Sequence, residues 1–214
     1  MPYPNTNLMK FYFLCLMLFG CCTLFGQDGY YFKTVGDTVY CQFKKVFPGF
    51  IKVKTKEQKN LWLTADEIKG FTKDGIPFVS KKILNPKKDP YIFLPNDKMD
   101  RQYKFSDPNL AMISGNGITF YELVEFGGVS AHTYGRSSTI SLYIENDSLG
   151  LSKVPQMKLI GGADQMEVTN VLHNYLKSNK AIEKKLNSMK NWNTINYKEI
   201  RKLIEEFTGK EFVD

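Results

Sequence analysis

"FTKDGIPFVSKKI", Phe71 to Ile83, decides how this chain folds. It sets Asp74-Gly75 between two strand-like arms, and that pair supplies the positive-φ positions a tight hairpin needs. Working outward, the same punctuation recurs. "GYYFKTV" and "TVYCQFK" are β-rich runs separated by Gly36-Asp37, and "FIKVKT" follows Pro48-Gly49, with Phe50, Ile51 and Val53 competing for the buried face. "NLWLT" makes a fourth run after the charged turn "KEQK". In "TADEIKGF", Thr64 stands three residues before Glu67, a capping-box spacing that predicts one helical turn.

Asn85 to Pro108 is different in kind, with four prolines around the apolar knot "YIFL". Proline removes a ladder donor, so this stretch is expected to be a linker or excursion with one short edge strand at most. Beyond it, "GITFYELVEFGGVSAHTYG" predicts two strands about Gly127-Gly128, and "STISLYIENDSLGLSKV" two more about "NDSLG". The alternation in "TISLYIEN" fits a sheet with one wet face.

From Ala163 the period becomes helical. Val168, Val171, Leu172, Tyr175 and Leu176 share one face, Ile182, Leu186 and Met189 another, and Tyr197, Ile200, Leu203, Ile204 and Phe207 stripe a last helix that Gly209 stops. Strands first and helices last imply an α+β fold. The expected architecture is an antiparallel β-sheet, or a small roll or open barrel, followed by two to three C-terminal helices and preceded by an N-terminal signal helix. Its parts are a leader at 1–26 and one domain at 27–214. That domain divides into a first β-region at 27–84, a Pro-rich loop or linker at 85–110, a second β-region at 111–160 and a helical tail at 161–214.

The leader reading comes from "MKFYFLCLMLFGCCTLFGQ", Met9 to Gln27. Lys10 precedes an apolar run, Phe11 to Phe25, that is shorter than the roughly 20 residues a bilayer-spanning helix needs. This is the layout of a secretory signal peptide, with Met9 as an alternative start. Cleavage between Gly26 and Gln27 is the expected cut. "LFGC" offers the alternative of lipidation at Cys21, and a retained anchor helix is the third possibility. Losing the leader removes Cys15, Cys21 and Cys22, so Cys41 stands alone, without a disulfide partner, in a strand pattern that suits core packing.

The formal charge of +7 is unevenly spread: residues 27–110 hold sixteen Lys or Arg against ten Asp or Glu. Lysine pairs stand at Lys44-Lys45, Lys81-Lys82 and Lys87-Lys88. Lysines on solvent-facing strands protect sheet edges from pairing with other chains. They also attract anionic polysaccharide or lipid headgroups.

Chemistry-bearing patterns are few. His132 lies in "GGVSAHTYGRSS" near Ser130, Tyr134, Arg136 and Ser137, which raises a hydrolase centred on His132, but "YGRSS" is not the G-x-S-x-G elbow. His173 falls beside the apolar face of a helix, where a water or backbone partner is the common case. Glu122 and Glu125 suit a solvated strand face. Metal-ligand spacing and phosphate-loop motifs are absent, so neither catalytic residues, metal nor cofactor are expected.

"GYYFKTVGDTVYCQF", "TADEIKGF", "FYELVEFGG" and "IRKLIEEFTG" occur in an order that resembles uncharacterised exported proteins of Bacteroidota-type Gram-negative bacteria. The resemblance covers most of 27–214 and rests on Gly36-Asp37-Thr38, Glu67-Ile68-Lys69-Gly70-Phe71 and the helical tail; the "EEFTG" ending and the Pro-rich middle depart from it. It implies an exported α+β protein and supplies no catalytic residue. It also implies O-glycosylation of Asp-Ser/Thr sites, here Thr38 and Ser148. The expectation is a cell-envelope protein, periplasmic, outer-membrane-associated or secreted, that works as a noncatalytic binding or assembly module. Its partner would be an envelope protein or glycan and not nucleic acid. A membrane enters only if Cys21 is lipidated or the leader is retained.

Overall fold

The computed structural model describes residues 28–85, 90–96, 100–106, 108–126, 138–155, 165–189 and 197–212. Asp74 and Gly75 adopt φ of 51° and 78°, closing the two-residue turn between β5 (Ile68–Lys73) and β6 (Ile76–Lys82). An Asn-Gly pair does the same work at Asn116-Gly117, φ 50° and 79°, between β9 (Asn109–Gly115) and β10 (Ile118–Phe126). Both match the strand twist that I′ turns favour.

Seven antiparallel strands form the first sheet. They are β1 (Gly29–Lys33), β2 (Thr38–Val46), β3 (Phe50–Lys54), β4 (Leu61–Thr64), β5, β6 and β7 (Tyr91–Pro95), in the order β4-β3-β2-β1-β5-β6-β7. The sheet curls into a half-barrel, and cross-links between its non-neighbouring parts hold the curl. Phe93 N–H donates to Pro48 C=O at 2.6 Å, and the Ser80 hydroxyl donates to Ala65 C=O. The second sheet runs β12-β11-β10-β9-β8, adding β8 (Arg101–Lys104), β11 (Ser138–Asn146) and β12 (Gly150–Val154). Helices α1 (Gln165–Leu176), α2 (Lys180–Met189) and α3 (Tyr197–Thr208) follow. The expected α+β class, with strands first and two to three helices last, is the observed one, with three helices; the expected signal helix lies outside the described residues.

Two cores divide the molecule into three layers. Leu110, Met112, Tyr121, Leu123, Tyr143 and Leu151 point from the second sheet into the half-barrel, joining Phe43, Phe71, Phe78 and Phe93. Phe71 is the centre, its ring 4.8–5.2 Å from those of Phe43, Phe78 and Phe93. The alternate residues Ile113, Phe120, Leu142, Ile144 and Val154 face the helices and their striped apolar residues. Each large side chain so buried is worth about 1.5–3 kcal/mol.

This layering corrects three expectations. The second sheet has no wet face over "SLYI", because it is the middle layer, with Ser141 to Ile144 all buried. The Pro-rich stretch carries two strands, β7 and β8, each an edge of its sheet, so proline's confinement to edges holds while the limit of one strand does not. "TADEIKGF" makes a turn, not a helical turn. The Glu67 carboxylate accepts from Thr64 N–H at 2.7 Å, half of a capping box, used here to join β4 to β5. Gly127-Gly128 and the strand expected after them lie outside the described residues.

Candidate functional site

Two places concentrate polar chemistry: a cleft between the sheets and the outer surface of the half-barrel. The cleft, of about 310 Å³, is lined by Lys81, Asn96, Ser114, Thr119, Tyr121 and Glu145 among others. Lys81 on β6 places Nζ 2.5 Å and 2.6 Å from the two Glu145 carboxylate oxygens, and the Tyr121 hydroxyl donates to Glu145 Oε2 at 2.8 Å. Three donated hydrogen bonds occupy the carboxylate, so the trio ties the two sheets together.

Beneath the second sheet, Glu122 is only 7 % exposed and accepts a hydrogen bond from the Tyr197 hydroxyl of α3. A solvated face was the expectation for this carboxylate; the helices cover it, and the tyrosine satisfies it. Burial raises the Tyr197 pKa, the bond to Glu122 and its charge raise it further, and Arg201 partly opposes them. Tyr197 therefore stays a donor. His173, at the edge of the apolar face of α1, meets the Glu183 side chain of α2, Nε2 to Oε1 3.2 Å. Cys41 is 1 % exposed, and desolvation, aided by Asp28, pushes its thiol up to about 12. It packs as an inert apolar group.

The outer surface is laid out by strand register. Lys45 of β2 lies opposite Lys52 of β3, which lies opposite Trp62 of β4. A bulge at Lys44-Lys45, between buried Phe43 and Val46, exposes both lysines. The Lys52 ammonium stands 4.9 Å from the Trp62 ring centre, and Phe50 packs 5.4 Å from the same ring while stacking on Phe47 at 4.6 Å. Trp62 remains 51 % exposed. On β1 and β2, Tyr30 meets Phe32 and Tyr40 edge-on at 5.2 Å and 5.7 Å, and Tyr40 is 60 % exposed. Strand alternation shows each lysine in the sequence, but the Lys45–Lys52–Trp62 row depends on a bulge and a register that no local pattern announces.

Thr38 and Ser148, the expected glycan acceptors, are both exposed, at the start of β2 and in the β11–β12 turn. The Ser148 hydroxyl donates to Asn146 Oδ1 at 2.6 Å, so a sugar there would displace a turn hydrogen bond. Gly26, Gln27, Cys21, Lys87, Lys88 and the His132 stretch lie outside the described residues. Among the described residues, no three His, Cys, Asp or Glu side chains gather as a metal site, and no helix is long and apolar enough to cross a membrane. Compared with protein-family models, curated proteins and solved structures, this chain matches none of them.

Proposed function

We propose that this chain is an exported protein of a Gram-negative cell envelope that works without catalysis, as a binding or assembly module. Its leader-like N-terminal run supports export. The observation that carries the binding role is the outer face of the half-barrel, where Trp62 and Tyr40 are more than half exposed beside Lys44, Lys45 and Lys54. Exposed aromatic residues braced by neighbours suit recognition, whereas in the inter-sheet cleft Lys81 and Glu145 are paired with each other.

Fractionating producing cells, then measuring the N-terminus and intact mass of the protein, tests the reading. The expected result is a chain beginning at Gln27, or a lipidated Cys21, held in the envelope fraction. Full-length chain free in the cytosol would overturn it. The same spectrum reads the glycan sites: added hexose that disappears in Thr38→Val and Ser148→Ala places it there, and an unmodified mass dismisses it.

A further inference from the structure

We propose that the outer face of β2, β3 and β4 binds an anionic polysaccharide, with Lys45 and Lys52 pairing its acidic groups and Trp62 stacking on a sugar ring. This rests on the envelope-binding reading and names its ligand class and residues.

Among the described residues, the lysines that β2 and β3 place on this face have no acidic ion-pair partner. From Thr38 to Thr64 the chain carries six lysines and one acidic residue, Glu57. Lys45 and Lys52 are direct cross-strand partners, an arrangement in which like charges destabilise a sheet. Among the described residues none of Lys44, Lys45, Lys52 and Lys54 forms an ion pair; Lys44 reaches the Gln42 amide at 2.7 Å, and Lys52 the Trp62 ring. Protection of a sheet edge does not account for them either. β2 and β3 are interior strands, while the edge strand β4, "LWLT", carries no charge. An external anion relieves the repulsion that the fold leaves standing.

The geometry selects among polyanions. The row from Lys45 to Trp62 crosses two strand spacings, about 10 Å, along a line. A linear polymer with acidic groups at intervals matches it. Trp62 adds a flat apolar surface, held by Phe50 and Phe47, on which the C–H face of a sugar ring rests. The same bracing keeps the indole on the sheet face rather than at a loop tip, which disfavours insertion into lipid. Export removes the chain from most nucleic acid.

The test titrates the protein, in the form its cells produce, with alginate, heparin, neutral dextran, phosphatidylglycerol vesicles and a single-stranded DNA oligonucleotide, following tryptophan fluorescence. At least one acidic polysaccharide should bind saturably and weaken steeply with salt, and dextran should not bind. The signal should vanish in Trp62→Phe, which keeps Trp192 as an internal reference. Lys45→Ala/Lys52→Ala should weaken binding about tenfold or more, equivalent to roughly 1.4 kcal/mol, while melting as a folded protein. No binding to either acidic polysaccharide, unchanged affinity in the folded lysine variant, or tighter binding to vesicles or DNA would overturn the proposal. None of these results would move the chain out of the envelope, so the broader reading is judged separately by fractionation.

Discussion

Lys81 of β6 and Glu145 of β11 join the two sheets directly, ammonium to carboxylate, with Tyr121 as a third member. Their side chains are 25 % and 18 % exposed, so the pair is well sheltered but not dry. Breaking a buried pair from one side leaves a charge uncompensated, whereas replacing both sides removes the problem. Lys81→Met and Glu145→Leu should each lower stability by about 1–3 kcal/mol, discounted from fully buried pairs for partial exposure. The double variant should lose much less than the sum of the two. Urea unfolding of all four proteins checks this, and simple additivity would show that the pair is not coupled.

Tyr197→Phe removes the hydroxyl that satisfies Glu122 and should cost about 1–3 kcal/mol, the penalty of an unmet buried acceptor. Tyr197→Phe with Glu122→Leu should recover part of that loss in thermal melting. Equal losses in the single and double variants would mean that the carboxylate finds another donor.

Cys41 makes alkaline stability measurable. Its thiol is held near 12 in the folded protein against an ordinary value of 9.0, so below 9 both states are protonated and nothing is lost. Above 9 the unfolded chain ionises first. Stability should then fall as pH rises from 9 toward 12, by at most about 1.4 kcal/mol per pH unit from this group. Tyr31, Tyr175 and Tyr197, all raised by burial, add to the decline from higher pH. Cys41→Ala should flatten the 9-to-10 part of the curve, and an unchanged slope would remove Cys41 as its cause. At neutral pH the thiol should resist disulfide reagents until the chain is denatured.

Gly115 ends β9 where it meets the C-terminal turn of α3. A Cβ there would lie 2.7–2.9 Å from Thr208 atoms, most of them backbone, which cannot swing aside. Gly115→Ala should cost about 1–3 kcal/mol through overpacking. A melting temperature equal to that of the parent would show that the helix shifts freely.

Lys45→Thr removes one of two facing like charges and supplies a β-branched residue. It should raise stability by about 0.2–1 kcal/mol at low ionic strength, with the gain shrinking in salt. A loss instead would mean that the lysine stem packs more than its charge repels.

Much of the fold was legible because its signals are local. Asp74-Gly75 announces the central hairpin, Val168 to Leu176 shows an apolar stripe at helical spacing, and Gly209 takes the positive φ of 70° expected of a helix stop. Asn116-Gly117 carries an equally local turn signal. What misled were segments whose environment comes from elsewhere in the chain. "TISLYIEN" alternates as a half-wet strand would, yet the helices cover one of its faces and the half-barrel the other. Glu122 looks solvated for the same reason. The Thr64–Glu67 spacing is the same in a helix cap and in the strand-linking turn it forms.

By itself, the sequence determined the α+β order of strands before helices, the Asp74-Gly75 turn and the apolar stripes of the three helices, because backbone sterics and side-chain period act within a few residues. Only the tertiary structure decided that the second sheet lies between two cores and that Lys81 finds Glu145. It also decided that Lys45, Lys52 and Trp62 fall into one row. Those outcomes depend on strand register and layer stacking, in which residues far apart in the chain compete for the same burial.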